Sequence, residues 1–140
     1  MRALGDPVQH YAARATRITC AGHIVSAARP TYVIFDTGTT GLSLSRDLYE
    51  AAFDVAGGKS PWSNVRVCFT TNDGRVQELG ARNPITLPVD VPWRDFAERC
   101  SLVVVGLSFL EGSVLTIDTT TEQVCAAQLI PPLPALLGVF

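Results

Sequence analysis

The sequence predicts an all-β domain carrying one or two short helices. The dominant hydrophobic period is two rather than 3.6. Short runs rich in β-branched and aromatic residues are bounded by Gly, Pro or an Asn-Asp-Gly turn. Only two stretches have the spacing or start signal of a helix. With 140 residues, 47% of them hydrophobic, the chain suits a single domain over 1–140 with one core, and a disordered tail is excluded.

In chain order, His23 to Ala27 reads as a strand and Thr31 to Phe35 as a buried one. Gly41 to Ser45 alternates and makes another. Ser45 stands where it can cap a helix over Arg46 to Val55, with Asp47 near the positive end. Leu48, Tyr49, Ala52 and Phe53 form its apolar stripe, and Gly57-Gly58 stops it. Val65 to Thr70 alternates, Asn72-Asp73-Gly74 turns the chain, and Arg75 to Leu79 returns as a hairpin. Asn83 to Pro92 holds three prolines and reads as an irregular connection. Pro92 to Arg99 reads as a second short helix starting at its proline. Leu102 to Val105 is a continuous apolar strand ending at Gly106, and Val114 to Asp118 is a further strand. Residues 128–140 form an apolar, Pro-rich tail.

Charge narrows the partners. Eleven basic and 13 acidic residues are dispersed to a net charge of −2, which argues against nucleic acid and against an electrostatic membrane clamp. No stretch approaches the roughly 20 apolar residues of a membrane span, and Met1 to Gln9 lacks the apolar core of a signal peptide. Charged residues are only 17%, so part of the surface is apolar or covered by a partner. Cys20, Cys68, Cys100 and Cys125 form no C-x-x-C, and only His10 and His23 could join them at a metal, so no metal site is expected. The four cysteines suit either disulfides or buried thiols.

The segment Val33 to Ser45, VIFDTGTTGLSLS, carries the chemistry. A carboxylate at the end of a buried strand is held in place yet meets solvent. Gly38 lets the backbone turn tightly and offers an N–H at close range. Thr37, Thr39 and Thr40 bring hydroxyls to hold the carboxylate or a ligand. The structural reading of Asp-Thr-Gly alone is a turn with a locally capping Asp. The long apolar lead-in and the Gly-Thr-Thr-Gly-Leu-Ser continuation favour a functional one.

Ile34-Phe35-Asp36-Thr37-Gly38-Thr39-Thr40 resembles the catalytic stretch of the C-terminal lobe of pepsin-like aspartic proteases, and the Ser45-Arg46-Asp47-Leu48-Tyr49 helix follows where that lobe has one. Val104-Val105-Gly106 resembles the family's second apolar-Gly element, which closes a ψ-shaped loop around the aspartate. Leu107-Ser108-Phe109-Leu110, the strand Leu115 to Asp118, and Gln123 to Ala126 resemble what comes after it, and His10-Tyr11 and the turn at Gly22 resemble the entry strands. The resemblance covers residues 10–127. It implies a closed, acid-protease-like β-barrel lobe and a disulfide between Cys68 and Cys100. It also implies Asp36, Thr37 and Gly38 as the catalytic turn, Thr39 and Thr40 at the substrate or the carboxylates, and a flap at Asn72-Asp73-Gly74. No cofactor is implied, the partner is a peptide or protein substrate, and the family is secretory or vacuolar.

That chemistry is peptide-bond hydrolysis by a water held between two aspartates. Carboxylates about 3 Å apart share one proton, so one acts as base and the other as acid. The chain has one such aspartate. The second would come from a missing N-terminal lobe or, as in one-lobed retroviral-type enzymes, from a second copy in a homodimer. Otherwise the lobe is inactive and serves protein binding or assembly. Asp36-Thr37-Gly38-Thr39-Thr40 also resembles the first phosphate loop of actin-like ATPases and sugar kinases, which would imply Mg²⁺-dependent nucleotide binding. The length of the chain and the helix after Ser45 favour the protease resemblance.

Overall fold

The structure is a computed structural model that describes residues 11–71, 73–90, 98–118, 120 and 123–128. Among these residues ten strands alternate with little helix: β1 (Ala12–Cys20), β2 (His23–Val25), β3 (Thr31–Phe35), β4 (Leu42–Ser45), β5 (Val65–Thr70), β6 (Val76–Ala81), β7 (Thr86–Val89), β8 (Ser101–Val105), β9 (Ser113–Asp118) and β10 (Gln123–Gln128). Helix α1 spans Arg46–Ala56, a single 3₁₀ turn spans Pro61–Ser63, and a one-turn helix, α2, spans Leu107–Leu110. The expectation of a β-dominated domain therefore holds. The proposed helix from Pro92 lies for the most part outside the described residues, as does the tail beyond residue 128.

One mixed sheet runs in the order β6-β5-β1-β3-β8-β4-β7, with β2 paired to β1 beside this path; β9 and β10 form a separate antiparallel hairpin. Two pairs, β3 with β8 and β4 with β7, are parallel, and the rest of the large sheet is antiparallel. The expected closed barrel does not form among the described residues: the path ends on β6 at one side and β7 at the other, and these do not pair. β7 is four residues long and contains Pro88, a residue with no N–H for a ladder and confined to sheet edges. It also replaces part of the irregular connection expected from the prolines.

Alternation decides the core. Val33 and Phe35, Leu42 and Leu44, Val65, Val67 and Phe69, and Val103 and Val105 all point to one face. Leu48 and Ala52 of α1 and Phe109 and Leu110 of α2 cover that face. Each Val, Leu or Phe among them contributes about 1.5–3 kcal/mol when fully buried. The Phe35 and Phe69 rings meet edge to face at 5.2 Å. On the opposite face, Ile34, Cys100 and Leu102 form a smaller buried group against Ala12, Tyr32 and Val104.

α1 starts one residue after Ser45, but Ser45 makes no side-chain cap. Its hydroxyl accepts instead from the Leu102 N–H at 3.0 Å, tying the helix start to β8. Asp47 provides the anion of the first turn and accepts from the Ser101 hydroxyl. At the far end Gly57 takes the left-handed conformation at φ +61°, which stops the helix where the Gly-Gly pair predicts. Of the expected apolar stripe, Leu48 and Ala52 are buried, Tyr49 is half-buried, and Phe53 leans outward against Trp62 and Tyr49.

Candidate active site

The site is built on the interleaving of three strands. β8 lies between β3 and β4, with Phe35 level with Val105 on one side and Leu42 level with Val105 on the other. The residues from Asp36 to Gly41, which connect β3 to β4, must therefore pass over the C-terminal end of β8. The Asp36 N–H extends the parallel ladder by one bond, donating to the Val105 carbonyl at 3.0 Å. The chain then folds back, and the Thr39 N–H donates to the Asp36 carbonyl at 3.2 Å.

Both carboxylate oxygens of Asp36 are engaged by its own turn. Oδ1 accepts from the Gly38 N–H at 2.8 Å and Oδ2 from the Thr39 hydroxyl at 2.7 Å. These bonds fix the carboxylate plane while Asp36 stays half-buried, flanked by exposed Thr37, Gly38 and Thr40. A Cβ at Gly38 would lie 3.1 Å from Asp36 Oδ1, so the tight turn favours a glycine there.

The floor of the turn is Gly106. Its N–H donates to the Gly41 carbonyl at 2.8 Å, the Leu107 N–H to the Thr39 carbonyl at 2.8 Å, and the Ser108 N–H to the Thr40 carbonyl at 2.9 Å. The Ser108 hydroxyl adds a second bond to the same Thr40 carbonyl at 2.7 Å. Three consecutive N–H groups, those of residues 106 to 108, thus hold the three carbonyls of residues 39 to 41. A Cβ on Gly106 would stand 2.1 Å from the Thr39 carbonyl oxygen, so only glycine fits. Gly41 is under the same constraint from the Ile85 carbonyl, 2.0 Å from a built Cβ, and the Leu42 N–H donates to that carbonyl at 2.8 Å.

All five residues singled out from the sequence, Asp36, Thr37, Gly38, Thr39 and Thr40, fall within this one turn. Thr39 touches the carboxylate through its hydroxyl. Thr40 takes part through its carbonyl, and among the described residues Thr37 makes no side-chain hydrogen bond. Ser108 and Ile85 were not legible as site residues: one reads as a turn serine, and the other acts only through its backbone. Ile85 and Leu107 leave exposed apolar side chains beside the turn, at 69% and 50% of full exposure.

The cysteines depart from what the resemblance implies. Cys20, Cys68 and Cys100 are buried free thiols, so no bond joins Cys68 to Cys100. Cys68 lies on β5, where its thiol donates to Glu78 at 3.3 Å and receives the Arg17 guanidinium at 3.7 Å; Cys100 lies in the small opposite-face group with Ile34 and Leu102. Burial first, then the Glu78 carboxylate, pushes the Cys68 thiol above its ordinary range. Burial alone pushes Cys20 up to about 11. Neither is a thiolate nucleophile at neutral pH. Among the described residues, no three His, Cys, Asp or Glu side chains gather as metal ligands. No helix among them is long and apolar enough to cross a membrane.

The β5–β6 turn expected as a flap is braced locally. The Thr71 N–H donates to the Arg75 carbonyl at 2.8 Å, the Gly74 N–H to the Thr71 carbonyl at 3.0 Å, and Arg75 pairs with Asp73. Asn72 itself lies outside the described residues.

Neither a protein-family model nor a curated protein matches the chain. Among solved structures, the fold is similar to the crystal structure of basic 7S globulin from soybean, with a TM-score of 0.56 and 15% sequence identity over 84% of this chain. At that identity the likeness concerns the fold alone. The chain spans 38% of the length of that protein.

Proposed function

We propose that the chain is one lobe of an aspartic endopeptidase, with Asp36 supplying one carboxylate of a water-activating pair. A second copy or a companion lobe supplies the other. The observation that carries this reading is the Asp36 turn straddling Gly106: a carboxylate with both oxygens fixed and an exposed face, set on a strand end that β8 clamps from below. The interposed β8 also supports it over a phosphate loop, since the two strands joined by the turn are not neighbours.

In this reading Asp36 and its counterpart share a proton, and the ionised member takes a proton from the bound water as it attacks the peptide carbonyl. The protonated member gives its proton to the carbonyl oxygen. Gly38 and Thr39 keep the carboxylate from rotating, so its reorganisation is met before the reaction. Thr37 and Thr40, exposed beside it, face the substrate or the companion lobe. The substrate lies extended across the turn.

The test is the mass of the protein in solution, and its cleavage of a peptide library at acid pH, with and without a statine-type transition-state analogue. Cleavage that the analogue blocks and Asp36→Asn abolishes supports the reading. A monomer that ignores the analogue and cleaves nothing identifies an inactive lobe used for protein binding. Magnesium-dependent nucleotide binding would instead favour the phosphate-loop reading.

A further inference from the structure

We infer that Ser108 is a positioning residue for Asp36, a role that rests on the protease reading. Its hydroxyl acts through Thr40 and Thr39 to keep the Asp36 carboxylate in one orientation. The run Leu107-Ser108-Phe109-Leu110 divides its side chains between core and solvent. Phe109 and Leu110 are buried in the main core, Leu107 is exposed and Ser108 is half-buried. Close packing around Phe109 anchors α2, so Ser108 is carried to the Asp36 turn on a fixed support.

The other holds on the turn from outside it are main chain: the N–H groups of Gly106, Leu107 and Ser108 and the carbonyls of Val105 and Ile85. Among the described residues, the Ser108 hydroxyl is the one side chain from elsewhere in the chain that hydrogen-bonds to the turn. It donates to the Thr40 carbonyl at 2.7 Å across 68 positions of sequence. That carbonyl is already satisfied by the Ser108 N–H at 2.9 Å. The hydroxyl takes the second lone pair, so what it adds is orientation. With the Leu107 N–H on the Thr39 carbonyl, the peptide planes on both sides of Thr40 are held. Thr39 borders this held segment, and its own hydroxyl donates to Asp36 Oδ2 at 2.7 Å. A carboxylate fixed in advance has less reorganisation to undergo when the bound water attacks.

The test compares the isotope-labelled full chain with Ser108→Ala and Ser108→Thr. Three-bond couplings in solution report the χ1 rotamers of Asp36 and Thr39. One rotamer for each is expected in the parent, averaging in Ser108→Ala, and a return to one rotamer in Ser108→Thr, which keeps the hydroxyl. The Thr40 carbonyl keeps its main-chain donor in both variants, so the fold is expected to survive. If the parent cleaves peptide, Ser108→Ala should lower kcat about two- to tenfold at unchanged KM, the worth of one hydrogen bond, and Ser108→Thr should restore it. A parent that cleaves nothing defeats the protease reading, whereas the couplings still decide whether Ser108 orients Asp36. Couplings that Ser108→Ala leaves unchanged, even with a lowered melting temperature, overturn the proposal, as does a Ser108→Thr protein that stays averaged.

Discussion

Replacing Gly106 by alanine tests the architecture of the site with one methyl group. The added carbon would lie 2.1 Å from the Thr39 carbonyl oxygen, 2.6 Å from the Thr39 carbonyl carbon and 2.8 Å from the Gly41 oxygen. All three are backbone atoms, and side-chain carbons essentially never come closer than 3.0 Å to such atoms, so no rotamer can yield. The turn must lift by about an ångström, which stretches the Gly106–Gly41, Leu107–Thr39 and Ser108–Thr40 bonds together. Overpacking a tight site costs about 1–3 kcal/mol, and each weakened hydrogen bond adds about 0.5–1.5 kcal/mol. The expected loss is about 2.5–7.5 kcal/mol, a large part of the ~5–15 kcal/mol that holds a domain together. Urea unfolding followed by circular dichroism reads it directly, and the melting temperature should fall by more than about 8 °C. Gly57→Ala is the matched control: at φ +61° with nothing within 4 Å, it carries backbone strain but no clash, and about 1 kcal/mol is expected. A Gly106→Ala protein as stable as that control would refute the turn-over-strand geometry.

Other expectations follow from the same contacts. Thr39→Val removes the hydroxyl on Asp36 Oδ2 and should cost about 1 kcal/mol in urea unfolding; if the chain is active, its kcat/KM should fall by about tenfold as the carboxylate loses its fixed plane. Burial would raise the Asp47 carboxyl, but the Ser101 and Ser45 hydroxyls and the Arg29 charge outweigh it and leave it below the usual carboxylate range. A carboxyl lowered on folding contributes stability that is present above its unfolded value of about 3.9 and is lost as pH falls through the folded value. Urea midpoints from pH 6 to pH 2 should therefore drop more steeply for the parent than for Asp47→Asn. Iodoacetamide at pH 8 should leave Cys20 unmodified in the folded chain and label it in urea, with mass spectrometry locating the adduct.

What could be read from the residues alone depended on whether a signal was local. Thr31–Phe35 and Val65–Thr70 are fully legible, because β-branched and aromatic residues fill the first and recur at every second position of the other. The longest strand, Ala12–Cys20, has no such pattern. Its alanines and arginines are poor strand markers, and the register slip beside Thr16 breaks the alternation midway. β7 hides behind Pro88, which reads as a break but sits harmlessly at an edge. The Asp36 turn announces itself through Asp-Thr-Gly, whereas Ser45 looks like a cap and spends its hydroxyl on a strand far along the chain. Barrel closure and a Cys68–Cys100 bond were both drawn from likeness to a family rather than from these residues, and neither is present in the described part of the chain. Whether two edges meet or two thiols approach is decided by three-dimensional placement that spacing does not encode.

The parallel pairing of β3 with β8 also governs how the protein comes to exist. Thr31 aligns with Ser101, seventy positions further on, so the first of these strands leaves the ribosome long before its neighbour is made. Until that neighbour arrives, the Asp36 segment has no Val105 carbonyl to grip and no Gly106 to rest upon. Closing so long a loop is slow and is rewarded only when the whole interleaved trio docks. A nascent or clipped chain ending before Ser101 would therefore carry the acid in its sequence but not its geometry, and the Asp36 turn is expected to form only late in folding.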